Sequence, residues 1–205
     1  MLRLRYGEVE LVLGNIVQQE TDAIVNAANT RLAGGGGVDG AIHRAAGPEL
    51  KRLCEQFPAD ESGRRCRTGE VKVTTGGRLR AAYVLHAVGP FFQERHADRA
   101  RSQLRQLHEK ILEAAREHGC RSIAIPAIST GAYRFPLADA AAVAVDTVCA
   151  ALETVPGSVR VRFVLFKERP FEIYSAALAQ WQHRRTQPAS PDSPLADEAG
   201  REASG

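Results

Sequence analysis

The protein has 205 residues, 44% of them hydrophobic and 25% charged, with a formal net charge of +3 at pH 7. This length suits one well-buried domain and is small for two, and the composition is that of an ordinary globular protein. No apolar run approaches the roughly 18 residues of a membrane span, and the N-terminus lacks a signal-peptide core, so we expect a cytoplasmic protein with no membrane partner.

Strand-like apolar runs alternate with stretches of helical periodicity along the chain. The predicted strands are Val9–Leu13, Ala23–Asn26, Val71–Thr75, Tyr83–Ala87, Ser122–Pro126 and Arg160–Leu165. The predicted helices are Val38–Ala46, Pro48–Gln56, Asp98–His118, Leu137–Leu152 and Phe171–His183. This alternation predicts an α/β fold, a three-layer α/β/α sandwich with a mixed, mostly parallel sheet in which Val71–Thr75 and Tyr83–Ala87 are antiparallel neighbours.

The composition changes near the C-terminus. We expect residues 1–185 to form a single domain and residues 186–205, rich in Pro, Ala, Ser, Asp and Gly, to be a disordered tail. The tail carries four acids and one base, which leaves a diffuse positive excess on the body. That excess suits an anionic small molecule, and it lacks the concentrated basic stripe with interleaved aromatics of a nucleic-acid-binding module.

The cysteines give no sign of a metal site or a disulfide framework. Their spacing is wide, without Cys-x-x-Cys and without a histidine at ligand spacing, at Cys54, Cys66, Cys120 and Cys149. We expect four reduced, buried or half-buried thiols and no bound metal.

Three loops with unusual chemistry follow predicted strands. They are Gly14-Asn15-Ile16, the segment from Asn26 to Asp39, and the segment from Ser129 to Pro136. In sheets of this kind ligands bind beyond the carboxyl ends of the strands, so these loops can converge on one cleft.

The second loop contains four consecutive glycines, Gly34 to Gly37, directly before a predicted helix. Bare backbone and the free N–H groups of a helix N-terminus make an anion site. Asp39 lies where an anion should bind, and a carboxylate beside a diphosphate is repulsive, so Asp39 is expected to do something other than bind. The alternative is a flexible loop in which Asp39 is an ordinary first-turn acid.

The spacing Gly35-x-Gly37-x-x-Gly40 also matches the dinucleotide fingerprint formally. The context disfavours it, because residues 27–33 separate the glycines from the preceding strand, where the fingerprint requires a tight turn. The second small-residue loop, Ser129 to Tyr133, instead favours a clamp for a diphosphate.

Taken together, these segments resemble the macrodomain family, and specifically its MacroD-type branch. The resemblance covers about residues 8–180 and rests on the motifs Gly14-Asn-Ile16, Asp22-Ala-Ile-Val-Asn-Ala-Ala-Asn29, Gly34–Gly47, Thr68-Gly69, His86-Ala-Val-Gly-Pro90 and Ala124-Ile-Pro-Ala-Ile-Ser-Thr-Gly131. It implies an ADP-ribose cleft and a hydrolase without metal or organic cofactor. Members of this branch deacetylate O-acetyl-ADP-ribose and remove mono-ADP-ribose from acidic side chains of proteins.

The resemblance also implies roles for individual residues. Asn15 and Ile16 would meet the adenine, with the aromatic Phe166 nearby. Asn29 would hydrogen-bond the distal ribose, and Asp39 would be the catalytic acid residue. The diphosphate and distal ribose would be enclosed by Gly37, Val38, Ser129, Thr130, Gly131, Ala132 and Tyr133.

The residue types suit these roles. Asn offers a donor and acceptors for ribose hydroxyls, and backbone N–H groups bind phosphate without a buried lysine. We expect the helix N-terminus to lower the pKa of Asp39, so that the carboxylate positions and polarises a water. His43, one helical turn later, either supports that acid or is structural, and His86 is expected in the core.

Two positions depart from the family pattern. The first loop usually reads Gly-Asp-Ile, and here Asn15 replaces the acid. Asn can donate as well as accept, so we expect adenine binding to survive with altered strength. Arg134 stands where the family typically has Gly before an aromatic residue and Pro, and its cation would either add a phosphate contact or partly cover the site.

The sequence therefore leads to a metal-independent hydrolase of ADP-ribose esters, with Asp39 and Asn29 essential and a monomer as the expected state. The alternative of a different class is a non-catalytic reader that binds ADP-ribosylated proteins. An acetylated metabolite, a protein adduct and an ADP-ribosylated nucleic-acid end all carry the same ADP-ribose group, so the sequence leaves the three substrates open.

Overall fold

The computed structural model describes residues 1–157 and 159–187. Its strands are β1 (Leu2–Leu4), β2 (Gly7–Leu13), β3 (Ala23–Ala27), β4 (Val71–Thr75), β5 (Tyr83–Ala87), β6 (Ser122–Ile125) and β7 (Val159–Leu165). Its α-helices are α1 (Gly37–Ala46), α2 (Pro48–Glu55), α3 (Ala97–Glu117), α4 (Leu137–Thr154) and α5 (Glu168–Thr186). Short 3₁₀ turns occur at Ile16–Gln18 and Glu94–His96.

The strands form one sheet in the order β1-β2-β7-β6-β3-β5-β4. The five inner strands are parallel, and β1 and β4 pair antiparallel at the two edges. The predicted mixed, mostly parallel sheet is thus confirmed, including the antiparallel pair β4–β5. Because all inner strands run the same way, the loops after β2, β3, β6 and β7 meet at one edge of the sheet.

Helices cover both faces of the sheet, which confirms the predicted three-layer sandwich. Successive residues of a strand point to opposite faces. In β3, Ala23 and Val25 pack in the cluster that includes α3, α4 and α5, whereas Ile24 packs with α1 and α2. Both faces are buried, which explains why the inner strands read as nearly continuous apolar runs.

The predicted elements agree with the structure except at a few ends. The edge strand β1 was missed, since three residues are too few to show a period. Helix α5 begins at Glu168 and not at Phe171, because Pro170 falls in the first turn, where its missing N–H costs nothing. Thr186, which was assigned to the tail, is the last residue of α5, and Gln187 is its C-cap. The rest of the predicted tail, residues 188–205, lies outside the described residues.

The four cysteines are free and buried, as predicted. Within the described residues, no helix combines the length and apolar character required to cross a membrane.

Candidate functional site

A cleft of about 890 Å³ opens at the carboxyl edge of the inner strands. The three loops singled out in the sequence all line it, together with the residues that follow β7. Every residue predicted to form the site lies on its wall: Asn15, Ile16, Asn29, Gly37, Val38, Asp39, Ser129, Thr130, Gly131, Ala132, Tyr133 and Phe166. The structure therefore brings these residues together, while their individual contacts with a ligand stay predictions.

Asp39 lies at the floor of the cleft, 6% exposed, in the first turn of α1. Two asparagine amides donate to its carboxylate: Asn26 Nδ2 to Oδ1 at 2.7 Å and Asn29 Nδ2 to Oδ2 at 3.1 Å. The carboxylate is thus fixed in orientation from two sides, with β3 supplying one asparagine and the loop after β3 the other.

The expected lowering of the Asp39 pKa is wrong. Burial raises the pKa of the Asp39 carboxyl above its ordinary value, and the Asn26 amide, His43 and the Asn29 amide oppose this only in part. The carboxylate is desolvated beneath the glycine loop, and desolvation disfavours the charged form. A carboxylate with a raised pKa is a better proton acceptor than a free one.

Asn29 also holds the loop that follows it. Its Nδ2 donates to Gly34 O at 2.7 Å, and its Oδ1 accepts from the N–H groups of Arg31 at 3.1 Å and Ala33 at 3.5 Å. All of the amide hydrogens and the oxygen are therefore engaged, so Asn29 positions both Asp39 and the glycine loop. A ribose contact, which stays a prediction, would replace one of these bonds.

Sequence reasoning missed the chain of polar groups behind Asp39. Asn26 Nδ2 lies 3.2 Å from His86 Nδ1, and Thr74 Oγ1 lies 2.9 Å from His86 Nε2. His86 is fully buried, as expected for a core residue, and burial lowers its pKa to about 3, so the ring is neutral. These residues read as ordinary strand positions in the sequence, and only the parallel pairing of Asn26 with His86 across β3 and β5 shows that they connect.

The glycine loop enters α1 with free donors. The first intrahelical bond runs from the Gly40 N–H to Gly36 O at 3.2 Å, so the N–H groups of Gly37, Val38 and Asp39 precede it. Gly37 has φ of +57°, a conformation that side chains rarely adopt. N–H groups of this kind and the positive end of a helix dipole can bind an anion, and here they lie beside the Asp39 carboxylate.

The facing loop, residues 129–133, follows β6. Ser129 is buried with φ of +66°, and Thr130 Oγ1 donates to Ala127 O at 2.9 Å. Tyr133 is half-buried; burial, and then the charge of Asp39, raises the pKa of its hydroxyl. Its ring stands 6.1 Å from that of Phe91 at the cleft rim.

The far end of the cleft is built by the loops after β2 and β7. Asn15 caps the short turn that follows, its Oδ1 accepting from the Val17 N–H at 3.2 Å. Aspartate could accept the same bond, so the substitution leaves this turn intact. Phe166 is 72% exposed on the cleft wall, next to Lys167, and its contact with the adenine stays a prediction.

Arg134 is exposed and is not among the cleft-lining residues, so its phosphate contact or its cover of the site stays a prediction. Its φ is +58°, which explains why glycine suits this position. We expect Arg134→Gly to stabilise the protein by about 0.5–1 kcal/mol, because relief of a left-handed residue exceeds the entropy cost of glycine. Thermal unfolding should show a midpoint higher by roughly 1–4 °C; a lower midpoint would contradict the strain at this residue.

The chain is similar in sequence to a known family and to named proteins. The family model described as "Macro domain" matches residues 25–144. A protein of Enterobacter sp. (strain 638) named O-acetyl-ADP-ribose deacetylase is 44% identical over 173 residues, which is 84% of this chain and 94% of the relative.

Two solved structures share the fold. The Oceanobacillus iheyensis macrodomain with ADP superposes with a TM-score of 0.82 at 39% identity, over 89% of this chain and 96% of that one. The Trypanosoma brucei macrodomain in complex with ADP-ribose gives a TM-score of 0.74 at 39% identity, over 83% and 68% of the two chains.

Proposed function

This chain belongs to the macrodomain family, and on that basis we propose that it binds ADP-ribose and hydrolyses ADP-ribose esters. The substrates are O-acetyl-ADP-ribose and mono-ADP-ribose attached to acidic side chains of proteins. The named Enterobacter relative and the ADP- and ADP-ribose-bound neighbours support this choice.

The observation that carries the proposal is the placement of Asp39. Its carboxylate is oriented by Asn26 and Asn29 and lies beside the free N–H groups that begin α1. A protein that only bound a diphosphate would gain nothing from an oriented, desolvated carboxylate next to those donors. The arrangement suits an acid residue that acts on a water.

In the proposed mechanism, the N–H groups of the glycine loop and of the 129–133 loop bind the diphosphate. This binding places the ester of the distal ribose over the floor of the cleft. Asp39 orients a water and accepts its proton as the water oxygen bonds to the ester carbonyl carbon. The bond from that carbon to the ribose oxygen then breaks, and the ribose oxygen takes the proton from Asp39, which gives ADP-ribose and the free carboxylic acid. The raised pKa of Asp39 favours the transfer of the proton from water, and general-base help of this kind contributes roughly 10²–10⁴ in rate.

The hydrolysis rate is expected to depend on the ionisation of Asp39. The reaction needs the carboxylate, and burial raises its pKa, so activity should fall as the pH drops through that raised value. The acidic limb of kcat/KM should therefore lie above about 4, the ordinary value of a carboxyl. A limb at or below about 4 would contradict an essential, desolvated Asp39; the residual rate of Asp39→Asn should show no such limb.

A reader that binds ADP-ribosylated proteins without cleaving them is the second candidate. The two are separated by incubating the wild-type protein with a protein mono-ADP-ribosylated on glutamate, in the presence of a chelator, while calorimetry measures ADP-ribose binding. Release of ADP-ribose over many turnovers supports the hydrolase. Binding without release supports the reader.

A further inference from the structure

A cluster of three potential metal ligands lies behind Asp39. His43 of α1, Cys54 of α2 and His86 of β5 each offer one ligand atom, and these atoms lie within 4.8 Å of one another. It is the one such group in residues 1–157 and 159–187. The three residues are far apart in sequence, so no spacing motif indicates that they form a cluster.

The geometry of the three side chains suits a metal. His86 is fully buried, and the imidazole of histidine is the commonest metal ligand in proteins. Cys54 is a free, fully buried thiol whose Sγ lies 3.7 Å from His86 Nε2. His43 Nε2 is buried without a hydrogen-bond partner within the described residues, and it lies 3.4 Å from Asp39 Oδ1.

The distances are close to those of a tetrahedral zinc site. Zn–N bonds of about 2.0–2.1 Å and Zn–S bonds of about 2.3 Å put neighbouring ligand atoms roughly 3.4–3.6 Å apart. The Cys54–His86 pair, at 3.7 Å, is already near that separation. The widest pair lies within 4.8 Å and must close by at most about 1.4 Å. His86 would give up its contact with Thr74 Oγ1 if Nε2 is the ligand atom.

We propose that His43, Cys54 and His86 bind one Zn²⁺ ion, and that this binding inhibits the enzyme. Two imidazoles and one thiolate are a ligand set that zinc accepts. Burial raises the pKa of the Cys54 thiol to about 11, so the thiol is protonated in the metal-free protein. On binding, the metal displaces that proton to solvent and Cys54 coordinates as the thiolate. His43 contacts Asp39, so a metal that takes His43 as a ligand alters the surroundings of the catalytic carboxylate.

Binding is tested on the full-length protein with Co²⁺ as a spectroscopic substitute for Zn²⁺. Chelator-treated wild-type protein should take up one equivalent of Co²⁺ and show a thiolate-to-cobalt charge-transfer band, which added Zn²⁺ removes. The absence of that band in the wild type would overturn the proposal without reference to any variant.

The ligand assignment is tested with two matched cysteine variants. Cys54→Ser should weaken Zn²⁺ binding, measured by competition with a chromophoric chelator, at least tenfold. Cys149→Ser should bind like the wild type, because Cys149 is equally buried but packs with α3, α4 and α5 on the opposite face of the sheet. Equal binding by Cys54→Ser and the wild type would overturn the assignment.

The inhibitory effect rests on the proposed function, whereas metal binding does not. Stoichiometric Zn²⁺ should slow ester hydrolysis by the wild type and by Cys149→Ser at least tenfold, and should spare Cys54→Ser. If the protein binds Zn²⁺ but none of the variants hydrolyses an ester without metal, the proposed function fails and the metal site stands. Zn²⁺ that binds at Cys54 without slowing hydrolysis would overturn the inhibition.

Discussion

Replacing Asp39 with Asn is expected to lower the rate of ADP-ribose ester hydrolysis by about 10²–10⁴-fold, the range of general acid–base help. The amide has nearly the same shape as the carboxylate but cannot accept a proton from water. Affinity for ADP-ribose should be retained or improved, because the change removes a negative charge beside the diphosphate. Steady-state kinetics and calorimetry on the same preparations measure the two effects separately.

The matched control is Glu49→Gln, the same loss of charge at an exposed acid in the first turn of α2. It should leave both turnover and binding at wild-type levels. Full turnover by Asp39→Asn would remove Asp39 from the mechanism. Equal losses of turnover and binding would make it a binding residue.

Gly40→Ala is expected to damage both the fold and the site. A Cβ atom on Gly40 would overlap the Gly35 carbonyl oxygen, so the glycine loop must move for the methyl group to fit. Overpacking against backbone costs about 1–3 kcal/mol, which corresponds to a thermal midpoint lower by roughly 2–12 °C. Because the displaced loop carries the proposed diphosphate donors, ADP-ribose binding should weaken at least tenfold.

Gly36→Ala provides the comparison, since it adds the same methyl group four residues earlier. A Cβ atom there meets nothing within 4 Å, and the φ of −94° is open to any residue. Gly36 is the N-cap of α1, where alanine is less favourable than glycine, so the thermal midpoint of this variant should fall, but by less than that of Gly40→Ala. If the two variants unfold at the same temperature, the close approach of Gly40 to the Gly35 carbonyl does not contribute to the stability of the glycine loop, which would contradict this prediction.

Much of the architecture could be predicted because local patterns determine it. Alternating apolar runs and helical periodicity predicted the inner strands and the five α-helices of the described residues, and the glycines Gly34 to Gly37 marked the proposed anion site. The edge strand β1 was not predicted, because its three residues form a strand only through pairing with β2, which is a tertiary contact.

The chemistry beneath the cleft was less predictable. The dipole of α1 was evident from the sequence and suggested a lowered pKa for Asp39, but the desolvation that outweighs it depends on how deeply α1 sits below the glycine loop. Likewise, the contact of His86 with Asn26 arises from strand pairing, and that of His86 with Cys54 from the packing of α2 near β5. Neither contact leaves a spacing signal in the chain.

The most direct test of the central claim is acetate release from O-acetyl-ADP-ribose by chelator-treated wild-type protein. The oriented carboxylate of Asp39 predicts many equivalents of acetate and of ADP-ribose per protein, with Asp39→Asn reduced by about 10²–10⁴-fold. Saturable binding of the ester with no acetate released above the uncatalysed rate would contradict the claim.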